Sequence, residues 1–133
     1  MYATPDELAG RLGTSVFAEI YGEGSAVDDL ASASAEIDGA AGTRYRVPLT
    51  GEGALALAKD WCLTLAEERA YARAAGSAWA EKVKSRVDQV RTYLQMVREG
   101  SFPLPGAAEN PARAAAFTRT APPVFGREKM KDF

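Results

Sequence analysis

The chain has 133 residues and a mass of 14.2 kDa, which is one domain, or one domain with a tail. At 47% hydrophobic and 26% charged it can bury a core, and 16 bases against 18 acids (net −2) argue against a protein that coats DNA. With no histidine it lacks the usual general base and most zinc sites, and with one cysteine, Cys62, it can form no internal disulfide.

The N-terminal residues read as a helix start. Thr4 caps, Pro5 occupies a position where its missing N–H costs nothing, and Glu7 completes a capping box. This helix runs to about Leu12, with Gly13 as its stop. The opening has no basic segment followed by an apolar one, so a signal peptide is not expected. Thr14 or Ser15 caps a second short helix carrying Val16, Phe17 and Ile20, ended by Gly22 and Gly24. Ser25 opens a third helix, with Asp28 three residues on. Val27, Leu30, Ser34, Ile37 and Ala41 recur at helical spacing and predict one shared apolar face. The small residues between them let a neighbouring helix approach closely, and Gly42 is the stop. Residues 43–53 break the helical pattern. Pro48 pushes Val47 towards an extended conformation, so a connecting loop with a short extended piece is expected.

Residues 54–74 read as one long helix. Leu55, Ala58, Cys62, Leu65 and Arg69 follow one line and Leu57, Trp61 and Leu65 another, which merge into a wide apolar face. Gly76 interrupts, and Ser77 caps a second long helix over 78–99. Its seam is Val83, Val87, Val90, Leu94 and Val97, with Gly100 as the stop. Two long helices joined by a short turn predict an antiparallel hairpin. Pro103 and Pro105 forbid helix after it. The expected fold class is all-α: a small helical bundle with a long antiparallel helical hairpin. Residues 1–106 form the helical domain and 107–133 an extended C-terminal arm. Phe117, Phe125 and Phe133 would each gain by burial, so the arm is expected to order on a partner. No stretch approaches the roughly 20 apolar residues of a membrane span, and a soluble intracellular protein without membrane contact is expected.

Charge is uneven. Residues 1–42 hold one base and eight acids, 43–106 ten bases and seven acids, and 107–133 five bases and three acids. This is either solvated surface or a pair of complementary faces through which copies meet head to tail.

No constellation points to catalysis. Cys62 lies on an apolar helix face and reads as a small buried hydrophobe. Asp28, Asp29, Glu36 and Asp38 lack the alternating ligands of a calcium loop. Residues 22–25 (Gly-Glu-Gly-Ser) lack the lysine of a phosphate loop and read as a turn. Glu67 and Glu68 beside Arg69 and Arg73 read as an exposed salt-bridged face. Trp61 and Trp79 read as core or interface anchors. No enzyme activity, metal or cofactor is expected.

Four stretches carry a family resemblance. They are the opening Met-Tyr-Ala-Thr-Pro-Asp-Glu-Leu; the run Ala-Ser-Ala-Glu-Ile-Asp-Gly at 33–39 followed by Arg44-Tyr45 and Pro48-Leu49; the hairpin closing with Gly100 and Leu104-Pro105-Gly106; and the C-terminal Val-Phe-x-Arg-x-x-Met-Lys-x-Phe at 124–133. Together they are similar to the small Mu-like phage neck proteins, a head–tail connector (head-completion) family. Many members carry an acidic insertion between the second and third helices. Here only residues 22–29 stand there, so no cation binding is carried over.

The resemblance implies an all-helical adaptor in the virion neck, assembled in the host cytoplasm. Such adaptors form a homo-oligomeric ring, usually of about twelve copies, beneath the portal protein. The ring continues the DNA channel, lies near DNA without specific contact, and meets a tail or stopper protein. On this reading the partner-binding residues are Arg44, Tyr45 and Arg46 of the loop and Phe117, Phe125, Arg127, Lys129, Lys131 and Phe133 of the arm. For the loop residues, buttressing the bundle is an equal reading. The alternative function is a small helical DNA-binding regulatory protein, against which the acidic first two helices argue.

Overall fold

Thr4 starts the first helix as its spacing predicts. Its hydroxyl accepts from the Glu7 N–H at 3.2 Å, and the Glu7 carboxylate accepts from the Thr4 N–H at 2.9 Å. The structure is a computed structural model that describes residues 1–74 and 79–111, residues 79 and 80 by backbone alone. Five helices follow in order: α1 (Pro5–Leu12), α2 (Thr14–Tyr21), α3 (Val27–Ala41), α4 (Glu52–Arg73) and α5 (Trp79–Glu99). Among the described residues there is no strand, only an isolated antiparallel bridge between Tyr45 and Glu109. The fold is a small all-α bundle. Gly76 and Ser77, expected between the long helices, lie outside the described residues.

Helices α3, α4 and α5 form the core, with α4 antiparallel to the other two. The beginning of α3 meets the end of α4 through Asp29 and Arg73, and the ends of α3 and α5 meet near Thr43 and Arg98. The seam of α5 is buried throughout: Val83, Val87, Val90, Leu94 and Val97. Opposite it lie Leu30, Ala33 and Ile37 of α3 and Ala58, Cys62, Leu65 and Ala66 of α4. Alanines on both sides bring α3 and α4 close enough for the Ser34 Oγ to lie 3.4 Å from the Cys62 Sγ. Helices α1 and α2 pack on α4, with Leu8, Leu12 and Tyr21 inward. Trp61 is buried against Tyr93 and Phe102, ring centroids 6.1 and 5.7 Å away.

Three expectations need correction. Val27 and Leu55, placed on the apolar faces by periodicity, are each 42% exposed, because the buried line at the start of each helix runs through the preceding residue, Ala26 and Ala54, both fully buried. Glu67 is not on an exposed face. It is buried, and it accepts from Arg11 of α1 at 2.9 Å and Arg86 of α5 at 3.2 Å. Its neighbours also pair between helices rather than along α4. Arg73 binds Asp29, Arg69 lies 3.6 Å from Glu36, and Arg91 of α5 bridges Glu36 and Glu68, each at 2.9 Å. Three of the eight acids of the first third, Glu7, Asp29 and Glu36, are therefore paired with bases of the remainder within one chain.

Candidate interaction surface

Besides the charge pairs along its length, the bundle is held at its two ends in different ways. At one end the 43–50 loop is strapped to the chain that leaves α5. The Arg46 N–H donates to the Ala108 carbonyl at 2.8 Å, and the Asn110 N–H donates to the Arg44 carbonyl at 2.9 Å. The Tyr45 hydroxyl accepts from the Leu104 N–H at 3.0 Å, so the ring clamps the turn after α5. The Ala54 N–H at the start of α4 donates to the Pro105 carbonyl at 2.9 Å. Gly51, at φ +96°, passes so close to Gly106 that a Cβ there would lie 2.3 Å from its carbonyl oxygen.

Arg44 closes this end. Its Nη2 donates to the Glu99 carbonyl at 3.0 Å, a cation at the negative terminus of α5. The guanidinium lies on Gly100 (φ +89°), where a Cβ would meet Cζ at 2.2 Å. Among the described residues the Arg44 Nε is the one buried side-chain nitrogen or oxygen without a hydrogen-bond partner.

The N-terminus is stitched to the same half. The Tyr2 N–H donates to the Ser34 Oγ at 3.1 Å, and its hydroxyl donates to Asp38 and accepts from the Leu49 N–H at 2.8 Å. Burial and the bond to Asp38 push the Tyr2 phenol up to about 12. Cys62 lies beneath, and burial raises its thiol above the usual range.

The opposite end is held by charge. Asp29 is buried at the start of α3. Its Oδ2 accepts from the Tyr21 hydroxyl and from the Arg73 Nε, each at 2.7 Å, and its Oδ1 accepts from the Arg73 Nη2 at 3.0 Å. Burial alone would raise this carboxyl. The bonds from Arg73 and Tyr21 and the arginine charge outweigh it, and Asp29 stays below the ordinary carboxylate range. The guanidinium also lies 5.7 Å from the Tyr21 ring centroid. Ser25 caps from one residue earlier than a standard N-cap, its Oγ accepting from the Val27 N–H at 3.1 Å.

Among the nine residues that sequence reasoning singled out for partner contact, Arg44 and Tyr45 are engaged within the chain and Arg46 is exposed beside them. Phe117, Phe125, Arg127, Lys129, Lys131 and Phe133 lie outside the described residues, as does the side chain of Trp79. The docked chain continues past Gly106 as far as Asn110, whose N–H is held by Arg44. Among the described residues no group of three or more Cys, Asp and Glu side chains is placed to hold a metal ion, and no helix is long and apolar enough to cross a membrane.

Residues from three of the four stretches behind the family resemblance are brought together by this geometry, the fourth, 124–133, lying outside the described residues. Tyr2 reaches Ser34, Asp38 and Leu49, while Arg44 and Tyr45 reach Gly100 and Leu104. The conjunction defines a small all-α protein whose motif residues fasten loops and termini onto a three-helix core. The chain belongs to the bacteriophage Mu Gp36 family: the family profile described as "Bacteriophage Mu, Gp36" matches residues 2–120. No curated protein and no solved structure matches it. It is a phage protein of the structural or assembly kind.

Proposed function

We propose that the protein is a head–tail connector, a neck adaptor that forms a ring beneath the portal, continues the DNA channel and joins head to tail. The observation that carries this reading is the family match over residues 2–120, joined to the likeness of four separated stretches to Mu-like neck proteins. Two physical features support it. A ring needs two different faces that meet, and the two ends of this bundle differ in chemistry. A DNA channel works best without strong phosphate contacts, and the net charge of −2 suits that. The partners are further copies of the chain, the portal protein and a tail or stopper protein.

The test is deletion of the gene in its phage, followed by electron microscopy of the particles. Filled or leaking heads lying apart from finished tails are expected. Normal tailed particles would remove the adaptor reading, and salt-dependent binding to duplex DNA would then decide for the regulatory alternative.

A further inference from the structure

We propose that the corner between α2 and α3 receives the C-terminal segment, residues 112–133, of a neighbouring copy. The proposal rests on the connector reading for its setting, a ring of copies, and on the following geometry for its content.

The corner has surplus apolar and acidic surface. Phe17 and Ile20 are only partly buried, and Val27 is 42% exposed. Among the eight acids of residues 1–42, Glu7, Asp29 and Glu36 are in ion pairs and Asp38 holds Tyr2. Asp6 is exposed at the start of α1. The remaining three, Glu19, Glu23 and Asp28, flank the corner, exposed and without a salt bridge among the described residues. The fold therefore pairs three of these eight acids with bases and leaves three close together at this corner without a salt bridge among the described residues.

The C-terminal segment has the opposite character. Residues 112–133 contain five bases and two acids, interleaved with Phe117, Val124, Phe125, Met130 and Phe133. Apolar side chains between cations suit an apolar surface rimmed by carboxylates.

Topology sets donor and acceptor apart. The strap fixes Asn110 near the start of α4, where Pro105 holds Ala54, whereas the corner is held at the end of α4 by Arg73. At about 1.5 Å per residue, the 22 residues of α4 separate these points by roughly 33 Å. The segment thus leaves one end of the molecule and its complement lies at the other. A contact between different ends of successive copies is heterologous, the kind that closes a ring. Extended at about 3.3 Å per residue, the 22 residues reach roughly 70 Å, which is enough to cross to the corner of the next copy in a ring.

The experiment is a charge swap in full-length protein, read by sedimentation equilibrium. One variant carries Glu19→Lys and Glu23→Lys, the other Lys129→Glu and Lys131→Glu. The wild type is expected to self-associate reversibly at low salt, at least about tenfold more weakly in roughly 0.5 M salt. Each variant alone should associate about tenfold more weakly. An equimolar mixture of the two should return to within about threefold of wild type, because each mixed contact again pairs opposite charges. Circular dichroism checks that both variants fold. A wild type that stays monomeric at low salt overturns the proposal, as does a mixture that fails to recover. A monomer whose thermal midpoint drops when Lys129 and Lys131 are reversed identifies the chain's own segment as the occupant and also overturns it. The particle phenotype of the gene deletion is a separate readout: a neck defect with monomeric protein would reject this contact and keep the connector reading.

Discussion

The two ends of the bundle are built on different physics. The strap end is held by backbone hydrogen bonds, a tyrosine clamp and glycines that let two chain segments touch. The corner end hangs on one buried carboxylate shared between a phenol and an arginine. Close backbone approach is indifferent to pH and salt but intolerant of side-chain atoms. A charge-held joint tolerates shape changes but follows the protonation of its carboxylate. One end is therefore suited to fix a departing chain, and the other responds to its surroundings.

The largest effect is expected where backbone approach is tightest. Gly51→Ala combines a positive φ with a Cβ placed against the Gly106 carbonyl, and should cost about 3 kcal/mol in urea unfolding. A loss under about 1 kcal/mol would show that the strap shifts easily and is no rigid anchor.

Asp29→Asn tests the charged end, with an expected loss of about 1–2 kcal/mol at neutral pH. Its folded-state pKa is depressed, so its contribution is fully present above the unfolded carboxylate value of about 4 and fades as pH falls through the lower folded value. The variant should flatten this part of the acid limb of the stability curve. An unchanged acid limb would move the sensitivity elsewhere.

Tyr2→Phe removes two hydrogen bonds at the strap half and should cost about 1 kcal/mol. Here the folded pKa is raised, so the contribution is complete below about 10 and lost as pH rises towards about 12. Alkaline unfolding of the variant should lose that step. The smallest effect is expected from truncation after Pro111, which spares the strap contacts made by residues 104–110 described above and should shift stability by less than about 0.5 kcal/mol. Truncation after Gly106 removes the Ala108 and Asn110 pairs and should cost visibly more, as read by the thermal midpoint.

Local signals were legible in the sequence. The Thr4–Glu7 box, the valine seam of α5 and the glycine stops at 13, 22, 42 and 100 depend on neighbours within a few residues and are present, while Gly76 lies outside the described residues. Signals that depend on distant partners were not. Glu67 looked solvated beside Glu68 and Arg69 because Arg11 is 56 residues away in sequence. Periodicity marks the faces of α3 and α4 but misses that their first turns are buried through Ala26 and Ala54, which leaves Val27 and Leu55 exposed. The loop of Arg44 and Tyr45 was visible as a break before Pro48. Its strap partners at 104–110 were not, since a bridge of two residues leaves no alternating pattern. The excess acid at the α2–α3 corner emerges only after the other acids have been assigned partners.

Cys62 gives the protein a built-in reporter. The thiol is fully enclosed between α3, α4 and the N-terminal residues and touches Ser34 and the Leu30 carbonyl, so a thiol reagent can reach it only when the N-terminal residues lift or those helices part. When reclosing outpaces the chemistry, labelling follows the population of the open form. Each added 1.4 kcal/mol of opening free energy then slows labelling about tenfold. With one cysteine in the chain, no background site blurs the signal. The labelling half-life thus times the opening of the N-terminal cover and the core beneath it in any assembly the protein joins.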